Sequence, residues 1–421
     1  MKKTKLFICA LFAIVLMPLA YAYGAESGYD EPIVFSYDQA LEMAIDNDLT
    51  IQDIDTQIRD MHVIIRYTLW DAEMDFFRTR AQIALTDDSI AAYTRRIRNR
   101  LQERERSAAN GGVAADNQSR RLIRETIHHI NNLERQLETL SIYQHQAMLT
   151  AGLMLRSAIV AVQEAELGIA VAQEQLALAE HNLRRVTLAR ELGLASAHDL
   201  SNTEHALAQG RTSLEELVRS LYTARKDLNN LLGQPLDQYT VIVFEREVVA
   251  LDMTQHIAAT INQTPEIRLS QLELDAALET RWVYTGHNRY IRITESDRRR
   301  ARTSTESSPD IARIRNRIAL QDAAERAQER HEQTLRTVEA AIRRGFADME
   351  GLLALEATLN AELSQRQAAL EIALTSFGLG RATRLEVDAA RLAVFEIEQE
   401  IEMVRNNMWA LSLMLENPGL L

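Results

Sequence analysis

"LGLASAHDL" spans Leu192–Leu200, and "LGRATRLEV" spans Leu379–Val387. Both fit L-G-x-A-[ST]-x-x-[DE]-[LV], and each interrupts a long Ala- and Leu-rich stretch that otherwise reads as continuous helix. Gly193 and Gly380 suit the left-handed residue that closes a helix at its C-terminus. Ser196 and Thr383 suit the N-cap of a following helix, and Asp199 and Glu386, three residues on, complete S/T-x-x-D/E, close to a capping box. Each stretch is therefore a stop followed at once by a start. Two long helices joined by so few residues most readily pack antiparallel. The pattern predicts two hairpin tips of one design.

The flanking sequence supplies the rods. Before the first tip, Ile169, Ala172, Leu176, Ala179, Leu183 and Val186 step by three and four. After it, Leu214, Leu217, Leu221, Ala224, Leu228 and Leu231 do the same. Near the C-terminus Ile397, Ile401, Val404, Met408, Leu411 and Leu415 repeat the pattern. Such a seam marks helices packed side by side in a coiled coil or bundle. A helix from about Ala158 to Leu192 would be on the order of 50 Å long at the helical rise of 1.5 Å per residue.

A second pair of landmarks predicts a duplication. In "SYDQALEMAIDNDLTI" Ser36 reads as an N-cap with Gln39 three residues on, and Asp252 and Gln255 stand in the same relation in "LDMTQHIAATINQTPEI". The halves close alike, with "LLGQP" at Leu231–Pro235 and "LENP" at Leu415–Pro418, whose Gly, Asn and Pro residues end helices. The expected organisation is a leader over 1–22, a first repeat over 23–235, a connector over 236–250 and a second repeat over 251–421. The landmarks themselves run from Tyr37 to Pro235 and from Leu251 to Pro418. The connector contains "YTVIVFEREVV" (Tyr239–Val249), a short strand-like run or extended link. "AANGGVAADNQS" (Ala108–Ser119) and "TESDRRRARTSTESSPD" (Thr294–Asp310) read as polar loops, each after the first helix of its half.

Composition narrows the function classes. Lys2, Lys3 and Lys5, an apolar run over Leu6–Met17 and the small residues of Ala20-Tyr21-Ala22 read as a secretory signal peptide, with the exported chain starting near Tyr23. Losing the three lysines takes the formal charge from −13 to −16, which argues against general nucleic-acid binding. The single cysteine, Cys9, falls in the leader, so thiol chemistry and disulfides are not expected of the exported chain. With aromatics at 5% and few Gly and Pro, the composition suits long helices, and no window after the leader reads as a transmembrane helix. His128, His129, His181 and His205 lack ligand spacing and read as helix-surface histidines. No nucleophile elbow, zincin motif, P-loop or dinucleotide fingerprint sits on a suitable element, so neither an enzyme nor a cofactor is expected.

Tandem halves, a leader, seamed helices and twin tips in this order resemble the TolC-type outer-membrane efflux proteins. The resemblance covers most of the chain and is strongest over Ala158–Pro235 and Leu353–Pro418. It implies a mainly all-α fold built from two repeats of long antiparallel coiled-coil hairpins. It implies a homotrimer forming a passive exit duct, docked at its tips to a periplasmic adaptor and an inner-membrane pump, in the outer membrane and periplasm. By the same resemblance Gly193, Leu194, Ser196, Asp199, Gly380, Arg381, Thr383 and Glu386 would form the adaptor-docking tips. Glu386 would keep one acidic position of the periplasmic mouth. The second falls on Ala389, with Asp388 as a partial substitute, and Phe377 stands where a gate tyrosine can sit.

Membrane strands are the chief departure. A spanning strand needs about 9–11 alternating residues. "FFRTRAQIALTDDS" (Phe76–Ser89) and "WVYTGHNRYIRIT" (Trp282–Thr294) give way to charged, helix-like or Arg-rich sequence. The strands are expected to be shortened or lost. The alternative function is a secreted coiled-coil envelope scaffold or binding protein that conducts nothing. Arg298-Arg299-Arg300 could meet anionic lipid headgroups, or simply be solvated.

Overall fold

The computed structural model describes residues 33–78, 87–109, 117–244, 246, 252–285, 293–303 and 309–420. In chain order these form β1 (Ile33–Ser36), α1 (Tyr37–Asn47), α2 (Leu49–Phe77), α3 (Asp87–Ala109), α4 (Asn117–Glu191), α5 (Ala197–Leu231), β2 (Thr240–Val243), α6 (Met253–Thr260), α7 (Pro265–Thr285), α8 (Glu295–Thr303), α9 (Pro309–Gly378) and α10 (Arg384–Glu416). Short 3₁₀ turns cover Ile261–Gln263 and Pro418–Leu420. The mainly-α expectation holds. Among the described residues the strands are β1 and β2, paired in parallel with Ile33 opposite Thr240 and Ser36 opposite Val243. The leader and most of 245–251 lie outside the described residues.

Helix length follows from what is missing inside the helices: α4 runs 75 residues and α9 70 without a proline past the first turn. The predicted caps are present. Ser36 and Gln39 form a reciprocal capping box, and the Asp252 side chain accepts from the Gln255 N–H at 2.8 Å. Each cap satisfies donors that the first helical turn leaves unpaired.

The chain divides into two compact units, each drawing segments from both expected repeats. Unit 1 comprises Met1–Asp48, Ala151–Val249 and Asp348–Ser412; unit 2 comprises Leu49–Thr150, Ala250–Ala347 and Leu413–Leu421.

In unit 1 the four long helical segments are those of α4, α5, α9 and α10. Side chains fix their register: Glu166 pairs with Arg225 at 2.9 Å and Glu180 with Arg211 at 3.5 Å across α4 and α5. Glu356 pairs with Arg405 at 2.7 Å across α9 and α10. Small residues admit close approach, with Gly168 under Leu217 and Gly210 under Leu176, each 3.4 Å from an added Cβ. Away from the tips, Ala40 and Ala44 of α1 pack with Leu155, Ile159, Leu228, Leu232 and Trp409. Arg156 donates to the Trp409 carbonyl at 2.5 Å and to the Tyr37 hydroxyl at 3.2 Å. Its guanidinium also lies 4.5 Å from the Trp409 ring centroid, which itself stacks on Phe244 at 4.7 Å.

In unit 2, α2, α3 and the first part of α4 share a core of Ile65, Leu69, Ile90, Ile97, Leu101, Ile127 and Ile130. Ile267, Val338 and Ile342 form a second cluster, joining α7 to α9. Two expectations are revised here. Thr294–Asp310 was expected as a loop, yet Glu295–Thr303 is helix α8. Thr294 caps it: its Oγ1 accepts from the Asp297 N–H at 3.2 Å, and the Asp297 carboxylate accepts from the Thr294 N–H at 3.0 Å. Glu295 and Asp297 in the first turn and Arg300 and Arg302 in the last complement the helix dipole. The strand candidates Phe76–Ser89 and Trp282–Thr294 were expected to be shortened or lost, and in their described parts they are helical through Phe77, from Asp87 and through Thr285, with no strand; their middles lie outside the described residues. Finally, one stretch of α4 is apolar enough by composition to cross a bilayer, with a mean hydropathy of 1.2, where no such window was expected. Only 22% of that stretch is buried, while along α4 Ala151, Leu155, Ile159 and Ile169 are buried in helix packing.

The candidate site at the hairpin tips

The two interrupted motifs fold alike. Gly193 has φ +75 and Gly380 φ +69. At the first tip Leu194 N–H donates to Ala189 O at 2.7 Å and Gly193 N–H to Arg190 O at 2.9 Å; at the second, Arg381 N–H donates to Ser376 O at 2.8 Å and Gly380 N–H to Phe377 O at 2.9 Å. This pairing of six-to-one and five-to-two bonds is the Schellman motif, and it satisfies the last carbonyls of α4 and α9.

The next helix opens within three residues. Asp199 N–H donates to Ser196 Oγ at 3.1 Å while Ser196 N–H donates to the Asp199 carboxylate at 2.9 Å. Thr383 and Glu386 repeat the arrangement, at 3.3 Å and 2.6 Å. Hydrogen bonds from the Ser196 hydroxyl and then the Ser196 backbone hold the Asp199 carboxyl below the usual aspartate range. In each tip one carboxylate oxygen, Asp199 Oδ2 or Glu386 Oε2, caps the helix that follows.

Both tips stand at the same end of unit 1. Gln175 lies 3.4 Å from Glu396, and His181 Nε2 lies 3.8 Å from Asp388, so α4 and α10 run antiparallel with residues 193 and 377 near one level. The tips expose apolar side chains: Leu194 is 80% accessible, and Leu192 and Leu379 66% each. Leu188, Ile372, Leu374 and Phe377 continue this exposed surface along α4 and α9. Arg381 is exposed beside them.

Asp388 is placed differently from Glu386. It is 7% accessible and receives Arg384 Nε at 3.0 Å, with His181 opposite. Its charge is met within unit 1. The glycine and cap positions were legible in each motif, whereas the Asp388 partners were not, because His181 is 207 residues away in sequence. No cluster of metal-ligating side chains occurs among the described residues.

No protein-family model matches the sequence, and no curated protein does either. Solved structures do match in shape. The chain is similar to the open state of the Neisseria gonorrhoeae MtrE outer membrane channel, with a TM-score of 0.60 and 12% identity over 91% of this chain and 89% of that one. It is similar to a membrane protein from Pseudomonas aeruginosa, with a TM-score of 0.59 and 14% identity over 91% and 93% of the two chains. It is similar to the outer-membrane channel OprN, with a TM-score of 0.56 and 15% identity over 93% and 94%. At this identity the likeness is one of fold, and it spans nearly the whole of each chain: the protein has the fold of the TolC-type outer membrane channels.

Proposed function

We propose that this protein is the exit duct of an export system: a homotrimer in the cell envelope whose hairpin tips dock a periplasmic adaptor linked to an inner-membrane pump. The observation that carries the reading is the pair of matched tips. Each presents a Schellman turn, a capping box and exposed leucine, Leu192 and Leu194 at the first tip and Leu379 at the second, and both lie at one end of unit 1. A scaffold held together by its seams has no need for two such ends, since capping requires no exposed Leu194 or Leu379. Exposed apolar patches rimmed by polar residues are typical of protein–protein contact. The similarity to outer membrane channels over nine-tenths of the chain supports the same reading. The duct is passive, and selection of cargo belongs to the pump.

The second reading is a coiled-coil envelope scaffold. It is favoured by helix in the described parts of Phe76–Ser89 and Trp282–Thr294. One experiment separates the two. Cysteines placed at Leu194 and Leu379 in the exported protein should crosslink in cells to a periplasmic protein encoded beside a pump, and the purified trimer should conduct in a planar bilayer. A monomer without conductance, and without tip crosslinks to such a partner, would remove the duct reading and leave the scaffold.

A further inference from the structure

The chain as a whole is acidic, with a formal charge of −13, yet its arginines gather at one end of unit 2. Residues 87–109, 117–124, 293–303 and 309–320 hold 16 arginines against seven Asp and Glu, a local charge of +9. Eleven of those arginines are exposed, against three exposed carboxylates (Glu103, Glu295 and Asp310) among the residues with described burial.

Contacts within unit 2 bring these segments together. Arg124 of α4 meets Glu105 near the end of α3 at 2.5 Å, and Arg104 of α3 donates to the Phe76 carbonyl at the end of α2. In the second half Arg315 of α9 donates to the Ala301 carbonyl of α8 at 3.0 Å, and Arg298 meets Asp322 at 3.5 Å. Helix α7 ties the halves: Glu279 binds Arg135 and accepts from Asn131 at 2.5 Å, while Arg268 meets Glu138 at 2.9 Å. These pairings run α7 antiparallel to α4. Arg330 with Glu273 at 3.6 Å and Arg281 with Gln321 at 3.1 Å run it antiparallel to α9. The ends of α2, α3, α7 and α8 and the starts of α4 and α9 therefore share one end.

Past residue 5 the chain carries one lysine, Lys226, so the cations of this end, like those elsewhere, are arginines, whose planar fork takes phosphate oxygens two at a time. Apolar side chains lie among them: Leu122 is 51% and Met74 48% accessible, and Phe77 lies under the Arg100 guanidinium at 3.8 Å. Arginine with exposed aliphatic and aromatic groups is the signature of a surface resting in the headgroup layer, with cations on phosphate and apolar groups at the acyl boundary. A site for free phosphate or nucleic acid has no use for the aliphatic part. The negative remainder of the chain does not oppose this, because charges farther than about 10 Å are screened at 0.1 M salt.

We propose that this arginine-rich end of unit 2 docks on the headgroups of an anionic phospholipid bilayer. The contact is made by the arginines of the described helix ends, and it is the same whether the assembly is a duct or a scaffold.

The test is flotation of the purified full-length protein with unilamellar vesicles. It should bind vesicles containing about a third phosphatidylglycerol and not pure phosphatidylcholine, and about 1 M salt, where the Debye length is about 3 Å, should release it. The variant R106Q/R302Q/R313Q/R317Q should lose on the order of fivefold in affinity per arginine, several hundredfold in all. R185Q/R211Q/R219Q/R366Q, with the same charge change on exposed arginines of unit 1, should bind like the parent. Circular dichroism establishes that helix content is kept. Should the fourfold variant lose helix, R106Q/R302Q serves, with an expected loss of about 25-fold. Equal loss in both fourfold variants, equal binding to neutral vesicles, or tighter binding to a DNA or RNA oligonucleotide would overturn the proposal. So would binding that survives high salt and alkaline carbonate, which means insertion; that result leaves the duct reading intact.

Discussion

Gly351 and Gly380 make a matched test of the tip geometry. Neither glycine has a heavy atom within 4 Å of an added Cβ, so Ala at either position meets open space. The backbones differ. Gly351 lies inside α9, whereas Gly380 has φ +69. In a helix interior Ala is better than Gly by about 1 kcal/mol, so Gly351→Ala should stabilise its turn. In the left-handed region an L-residue pays about 1–2 kcal/mol, so Gly380→Ala should destabilise the tip by that amount. Packing contributes to neither change, and the same chemical substitution acquires opposite signs. The unfolding of a chain with two units need not be two-state, so a global midpoint is the wrong observable. Amide hydrogen exchange reads the tip directly. With 1.4 kcal/mol per factor of ten, the Gly380, Arg381 and Glu386 amides should exchange about 5- to 30-fold faster in Gly380→Ala, while amides around Gly351 slow in Gly351→Ala. Unchanged tip exchange in Gly380→Ala, with a response at Gly351, would refute the account of the tip as a Schellman turn.

Other predictions follow from the same contacts. Asp199 has a depressed carboxyl pKa, so its capping contribution is present above the ordinary aspartate value of about 3.9 and lost as pH falls through the lower folded value. Exchange at the first tip should accordingly quicken only in acid, and Ser196→Ala should cost about 1 kcal/mol there at neutral pH. Arg156→Lys removes the fork that holds the Trp409 carbonyl and Tyr37 hydroxyl together, and should speed amide exchange around Trp409 nearly as far as Arg156→Met, as hydrogen exchange would show. Under the duct reading, Leu194→Asp combined with Leu379→Asp should abolish adaptor crosslinking yet leave helix content unchanged; retained crosslinking would separate the tips from docking.

The repeated motif carried the turn: glycine conformation and caps follow from nine local residues, whereas the exposure of Leu192, Leu194 and Leu379 came from the structure. Local spacing also gave the helices, because seams and caps act within a few turns. Two kinds of feature stayed closed. Helix α8 was hidden because its Arg run reads as solvated loop, while the Thr294–Asp297 cap and the dipole complement decide in favour of helix. Contacts far apart in sequence were also invisible: Arg156 with Trp409, His181 with Asp388, and the arrangement that gathers arginines from both halves at one end of unit 2. Nothing in the local spelling distinguishes Asp388, which is enclosed, from Glu386, which caps an exposed turn.

The parallel pairing of β1 with β2 has a consequence for the order of events in folding. Ile33 N–H donates to Tyr239 O at 3.0 Å, and the Asn47 side chain donates to Asn230 O at 2.9 Å, beside the Gly233 turn. The N-terminal strand of the described chain therefore has no partner until more than 200 further residues have been made. In a chain delivered N-terminus first, the first half cannot latch shut while it is still arriving. Ala40 and Ala44 can meet Leu155 and Ile159 earlier, but Ile33–Ser36 must wait for a strand that lies after the first tip, and Trp409, from the second half, completes the base.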